Sequence, residues 1–302
     1  MSAAPTPARE FDALRCQLSR FNELSLEEDR PPPQLPFADQ LFSSRHLRIQ
    51  LDETTDQASR STACRAAQNA WYLEHLPSRE GLSIFHPLCG PGLIARALQH
   101  RGLARYVGVD KGPATIAHAK TLLSDQRGFE FICADLECAC SLAAVREQEF
   151  DVMLLTYEAI NLIGPAALGR LLVGLRGLLP VGARVLADFR TRFQPAWQPD
   201  AGVARREARF GSLFQEGPHT IIDEWGPLPN SHWFGHRIAV FVQGTLASVY
   251  YSFIWLPGAD TVIRMFTDHG FQIKHTGRPL LDAPTDVAEA KGDLFVCFER
   301  IS

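Results

Sequence analysis

Between the short apolar run Ser83-Ile84-Phe85 and a helix-like run from Leu93 to His100 lies the turn His86-Pro-Leu-Cys89-Gly90-Pro-Gly92. No other feature of the chain constrains its fold as strongly, because a glycine-rich strand-to-helix turn belongs to parallel α/β sheets that bind ligands at strand ends. Glycine at 90 and 92 lets backbone approach a ligand where a Cβ collides, so a side chain added at 92 is expected to fill ligand space. The helix that follows is expected to bury Leu93, Ala97 and Leu98. Its free N–H groups are expected to face an anionic group.

Two further segments extend the pattern. Arg105-Tyr-Val-Gly-Val-Asp110 reads as a second strand ending in an acid, about twenty residues after the glycines, the spacing at which a neighbouring strand offers a carboxylate to a ribose. An ionised Asp110 accepts from both ribose hydroxyls at once. Phe129 to Asp135 gives a third strand end, where Asp135 can accept from an adenine amino group. Short apolar strands alternating with helices predict an α/β, doubly wound parallel sheet, with Gly90, Asp110, Asp135 and Tyr157 at its carboxyl edge.

These residues resemble the class I S-adenosylmethionine-dependent methyltransferases. Cys89-Gly-Pro-Gly92 is similar to their first motif, Gly108-Val-Asp110 to the second and Ala134-Asp135-Leu136 to the adenine motif. Phe150 to Tyr157 is similar to their fourth strand, and Leu178-Leu-Pro-Val-Gly182 to the turn before the fifth. The resemblance runs from about Arg45 to the C-terminus and implies S-adenosyl-L-methionine as cofactor, held by Leu88, Cys89, Gly90, Gly92, Asp110, Lys111, Asp135, Leu136 and Tyr157. Two positions depart from the family pattern. His86 stands where an acid is usual, which leaves open how the aminoacyl end of the cofactor is held. Leu88 replaces a glycine, but still supplies a backbone carbonyl.

Composition narrows the remaining possibilities. With 302 residues, 46% of them hydrophobic, the chain is long enough for one large α/β domain with additions. A net charge of -4 gives no grip on phosphate backbones, so no nucleic-acid partner is expected. No apolar run suits a membrane span, and the first residues lack a signal-peptide pattern, so no membrane partner and a cytoplasmic location are expected. The seven cysteines are odd in number and scattered, which suits reduced, buried thiols. Cys133, Cys138 and Cys140 lack a paired CxxC spacing, and no metal site is expected.

Residues 1-37 read as an N-terminal helical appendage and Pro-rich linker, in which Arg9 to Leu26 can form an amphipathic helix. A dimer contact, a substrate lid and a packing helix all stay open for it. Residues 38-302 form the expected methyltransferase domain, with N-terminal helices as a lid (38-80) and an antiparallel β insertion (190-256). The lid carries Ser59-Arg60; in the resembled family a similar segment lies over the cofactor, so Arg60 is expected either to pair with its carboxylate or to begin a solvated helix. Leu142 to Glu149 and Ala166 to Leu179 read as helices, and Val181 to Phe189 as the fifth strand. Strands are expected at His219–Trp225, Arg237–Gln243 and Ser248–Trp255. Helix Thr261 to His269, strand Gly270 to Lys274 and strand Asp293 to Glu299 close the chain with the antiparallel last strand of the methyltransferase sheet.

The insertion holds Trp197, Trp225, Trp233 and Trp255, four of the five tryptophans. Such aromatics pack sheet faces or line a pocket for an aromatic or amine acceptor. Methyl transfer is an in-line displacement at a carbon activated by its sulfonium, so alignment and desolvation carry most of it. A base is needed only for an acceptor that carries a proton. In the resembled family the end of the fourth strand faces the transferable methyl group, which implies Tyr157 and Glu158 as candidates to orient or deprotonate the acceptor, with His232 and His236 as further proton acceptors; Glu158 also fits a plain helix N-terminal acid, and the histidines a surface or packing role. The expected activity is methyl transfer to an O, N or S atom of a small, partly apolar molecule. An NAD(P)-dependent oxidoreductase stays open, since Gly90-x-Gly92-x-x-Ala95 with Asp110 approaches the dinucleotide fingerprint. So does a non-catalytic methyltransferase-fold binding protein.

Overall fold

A computed structural model describes residues 35–55, 57–191, 201–228, 231–281 and 292–302. The predicted helix at Arg9 to Leu26 and Trp197 lie outside the described residues. The described residues divide into two units, 37–191 with 255–302 and 35–36 with 201–254. The smaller of them, the insertion unit, takes in Leu35, which packs against Ile221, Ile238 and Val240.

The larger unit starts with helices α1 (Gln40–Gln50) and α2 (Thr62–His75). Asp39 caps α1 by accepting from Phe42 N–H at 2.7 Å. Strands β1 (Ser83–Pro87), β2 (Arg105–Asp110), β3 (Phe129–Cys133), β4 (Val152–Leu155) and β5 (Arg184–Phe189) then alternate with α3 (Leu93–Leu98), α4 (Pro113–Leu122), the short α5 (Leu136–Ala139) and α6 (Ala143–Arg146), and α7 (Ala159–Gly174). After the insertion come α8 (Ala259–Thr267), a strand at Phe271–Gly277 and a last strand at Leu294–Arg300. The four insertion strands are β6 (Gly202–Ala208), β7 (His219–Pro227), β8 (Trp233–Val242) and β9 (Thr245–Trp255), which makes the last two strands of the chain β10 and β11.

The main sheet runs β10-β11-β5-β4-β1-β2-β3. Strands β1 to β5 are parallel, and β11 pairs antiparallel with both β5 and β10. Continuous apolar runs explain the centre: Val152 to Leu155 and Val185 to Ala187 are buried throughout, as strands covered on both faces must be. At the edge, β3 alternates and leaves Cys133 exposed. The chain order reverses beside β1, so the crevice at the carboxyl ends of β1, β2 and β4 is where ligands bind in such sheets.

Several expectations need correction. The inner face of α3 is Ile94, Ala95 and Leu98, while Leu93 and Ala97 are only half-buried. The run after β4 starts at Ala159 and breaks at Gly164 (φ 71°, ψ 178°) before Pro165. The residues of Ala159–Gly177 have the length and apolar composition to cross a membrane, yet 44% of the apolar stretch is buried and the break interrupts it. Cys64, Cys89 and Cys297 are buried, but Cys133, at the end of the edge strand, and Cys138, in the short helix after it, are exposed. The insertion holds one strand more than expected, β6, which pairs with β7 over Gly202 to Ala208.

Candidate cofactor and catalytic site

At the glycine turn, backbone dictates the geometry. Leu88, Gly90 and Gly92 all have left-handed backbone, with φ of 57°, 57° and 81°. Leu88 thus occupies a conformation that favours glycine, a strained state of the kind found at ligand clamps. Asp110 closes the turn: its carboxylate accepts from Gly90 N–H at 3.1 Å and from Gly112 N–H at 2.8 Å. Burial pushes the Asp110 pKa up, against the pull of those two backbone bonds. Each carboxylate oxygen has a second lone pair, so two hydroxyls can still be accepted. The Cys89 thiol lies buried against Gly108, where a Cβ would sit 2.9 Å from Sγ, so Cys89 offers the site its backbone rather than its sulfur.

Gly92 differs from the expectation. A Cβ built there meets Ala119 Cβ at 3.1 Å and Ala119 Cα at 3.3 Å. A side chain at 92 is therefore driven into α4, inside the protein. Gly90 is the turn glycine with open space: the nearest atom to its added Cβ is Gln50 Nε2 at 3.7 Å.

His86, at the position of the usual acid, is buried between two hydroxyls. Its Nε2 lies 3.0 Å from Thr156 Oγ1, and its Nδ1 faces the Tyr106 hydroxyl. Burial lowers its pKa to about 3, so it is neutral near pH 7 and joins β1, β2 and the end of β4.

Beyond β4, Tyr157 and Glu158 follow each other in left-handed conformation, with φ of 57° and 58°. Their N–H groups both donate to Asp188, at 2.7 and 3.0 Å. Asp188 is 0% exposed and also accepts from Tyr72 Oη, from Gln68 Nε2 and from Arg60 Nη2. The Arg60 guanidinium, itself 2% exposed, lies 4.8 Å above the Tyr157 ring and bonds Asp293 and Glu158 as well. Arg190 bonds Glu158 at 2.8 Å and sits 3.6 Å from Asp293. Sequence reasoning missed Asp188, Asp293 and Arg190. It had separated Arg60 from Glu158, which here are paired at 3.2 Å. Burial opposes the charge of Glu158, but Arg190 and Arg60 hold its pKa below the ordinary value. Burial, reinforced by Glu158, pushes Asp293 up to about 8. Arg60 faces three acidic side chains through Nη2, while its buried Nε has no hydrogen-bond partner among the described residues.

Past the end of β3, Asp135 caps α5 by accepting from Glu137 N–H at 3.1 Å, and Leu136 starts that helix half-buried. Lys111 lies 5.4 Å from the Phe37 ring, and its carbonyl accepts from Cys133 Sγ. His232 and His236 belong to the insertion unit. His232 is exposed; His236 Nε2 lies 3.0 Å from Asp223, which Arg206 also binds. Among the described residues, no group of His, Cys, Asp and Glu side chains has the arrangement of a metal site.

Residues 87–182 match a family model described as a methyltransferase domain. The strand order and the glycine turn with its acid accord with this match, and methyltransferase domains of this kind are enzymes that use S-adenosylmethionine as cofactor. Among solved structures it is similar to the CcbJ methyltransferase of Streptomyces caelestis, at 11% identity over 87% of this chain and 99% of that one, with a TM-score of 0.60. An S-adenosylmethionine-dependent methyltransferase of Clostridium acetobutylicum shares 11% identity over 78% of this chain and 92% of that one, at a TM-score of 0.56. DesVI of Streptomyces venezuelae gives 14% identity over the same shares, 78% and 92%, at 0.51. These likenesses concern the fold. No curated protein sequence matches the chain.

Proposed function

We propose that the protein transfers the methyl group of S-adenosylmethionine to an O, N or S atom of a small, partly apolar molecule in the cytoplasm. The observation that carries the cofactor half is Asp110, fixed at the end of β2 by Gly90 and Gly112 with lone pairs to spare for a ribose. Around it, Leu88, Cys89 and Gly90 offer backbone, Lys111 and Leu136 flank the adenine, and Asp135 accepts from its amino group. The bound cofactor supplies an electrophilic methyl carbon on a sulfonium. Tyr157 forms the wall beside that carbon, and Glu158, held as a carboxylate by two guanidiniums, shapes the strand end. Glu158 becomes a proton acceptor only if it leaves those partners. His236, oriented by Asp223, is the second candidate for a proton acceptor. In this reading Arg60 belongs to the carboxylate cluster rather than to the cofactor.

A net charge of -4 and a wealth of tryptophan in the insertion favour a small, partly apolar acceptor over a polyanion. Two measurements test the proposal. Calorimetry with S-adenosylhomocysteine should show Asp110→Ala losing about 2 to 4 kcal/mol of binding; unchanged affinity in the folded variant removes the ribose assignment. Cell extract incubated with methyl-labelled cofactor should carry label in the low-mass fraction. Label chiefly in nuclease-sensitive material overturns the small-molecule assignment.

A further inference from the structure

Two consecutive residues without glycine's freedom, Tyr157 and Glu158, hold left-handed backbone at the end of β4. Such a conformation costs about 1 kcal/mol or more per residue and persists only where surroundings enforce it. The enforcing group is a single carboxylate. Asp188 Oδ1 takes the Tyr157 N–H and Oδ2 the Glu158 N–H, so one planar group fixes two successive peptide units. Asp188 is in turn fixed from four sides. It stands at the end of β5, next to β4 in the sheet; Tyr72 and Gln68 reach it from α2, and Arg60 from the segment before α2. All these groups are at most 2% exposed.

We propose that Asp188 is a positioning residue for methyl transfer, holding the backbone of Tyr157 and Glu158 so that the β4 end presents a fixed wall to the methyl-bearing sulfur. The inference rests on the reading that cofactor binds at the carboxyl ends of β1 and β2 with its sulfur toward β4. Asp188 touches neither cofactor nor acceptor; it acts through the two residues it holds. A neutral amide cannot replace it. The substitution Asp188→Asn keeps one accepting oxygen and turns an NH2 group toward N–H donors and a guanidinium, so one of the two peptide units must lose its partner.

The test compares the wild type with Asp188→Asn and Tyr72→Phe, the second removing one hydroxyl from Asp188 while leaving the ring. Amide hydrogen exchange should quicken at least tenfold at residues 157 and 158 in both variants, with the β4 amides of Met153 and Leu154 still protected. Calorimetry should find S-adenosylhomocysteine binding within about threefold of wild type, because Asp110 and Gly90 are untouched, while the preference for S-adenosylmethionine over S-adenosylhomocysteine shifts by about fivefold or more. Equal weakening of both ligands, or unchanged exchange at 157 and 158, overturns the proposal. If Asp188→Asn does not fold, Tyr72→Phe decides by the same two readouts. Failure of the underlying reading looks different: wild-type protein would then bind neither ligand.

Discussion

The imidazole of His86 stands between Tyr106 Oη and Thr156 Oγ1, so a position that usually carries an acid carries a neutral bridge across three strands. Removing it opens a cavity and strips two buried hydroxyls of a partner. His86→Ala should lower stability by about 2 to 4 kcal/mol in urea denaturation. A loss under about 0.5 kcal/mol, the range of ordinary surface substitutions, shows that the bridge does not support the sheet.

Gly92 and Gly169 make a matched pair. Gly92 has φ +81° and Ala119 within 3.1 Å of an added Cβ, whereas Gly169 lies in α7 with nothing within 4 Å. Gly92→Ala should therefore destabilise by about 1 to 3 kcal/mol, through left-handed strain and crowding. Gly169→Ala should stabilise by up to about 1 kcal/mol, the gain in helix propensity. Thermal melts of the two apo variants moving in the same direction contradict this account of position 92.

Asp293 links stability to pH. Its folded pKa of about 8 lies above the ordinary value of 3.8, so the folded state keeps a proton that the unfolded chain has released. The stabilisation this gives is complete below the unfolded pKa and is lost as pH rises through 8. Below about 6.5, burial of neutral His86 acts in the opposite sense, since the unfolded chain gains a proton that the folded one refuses. Between pH 6.5 and 8 the wild type should thus lose about 1 to 2 kcal/mol that Asp293→Asn does not lose. Parallel stability curves for the two proteins over that range refute the assignment.

In the insertion unit, Arg237 Nε donates to Glu224 Oε2 at 2.8 Å, with both side chains buried. Arg237→Met takes the guanidinium from a buried carboxylate and should cost about 3 to 5 kcal/mol. Adding Glu224→Leu removes the stranded charge and should recover most of that loss. Unfolding followed by Trp225 and Trp233 fluorescence measures both.

How far the sequence announces this structure depends on how local each signal is. The strands from Ser83 to Phe189 are short apolar runs, and burial on both faces makes their order legible. Gly90, Asp110 and Asp135 stand at motif spacings, so the strand ends at which we propose the cofactor are legible too. β6 is not: Gly-Val-Ala-Arg-Arg-Glu-Ala holds one β-branched residue and three charges, and only pairing with β7 makes it a strand. The buried cluster is hidden for another reason. Asp188 and Asp293 each follow or precede a plain apolar run, and their partner Arg60 lies 128 and 233 residues away in the chain. No spacing rule reaches that far, so the carboxylates that Arg60 meets in the fold cannot be read from the sequence.

The position of β11 between β5 and β10 has a consequence for how the protein is made. The last strand of the chain fills an interior slot of the sheet, not its rim. While a ribosome is still adding residues up to Leu294, β5 presents an open row of N–H and C=O groups, and β10 has no sheet to join. Asp293, at the threshold of that strand, meets Arg60 only when the slot is filled. The sheet therefore cannot close until residues 294–300 have been made, and a product stopped before them carries an apolar edge suited to aggregation.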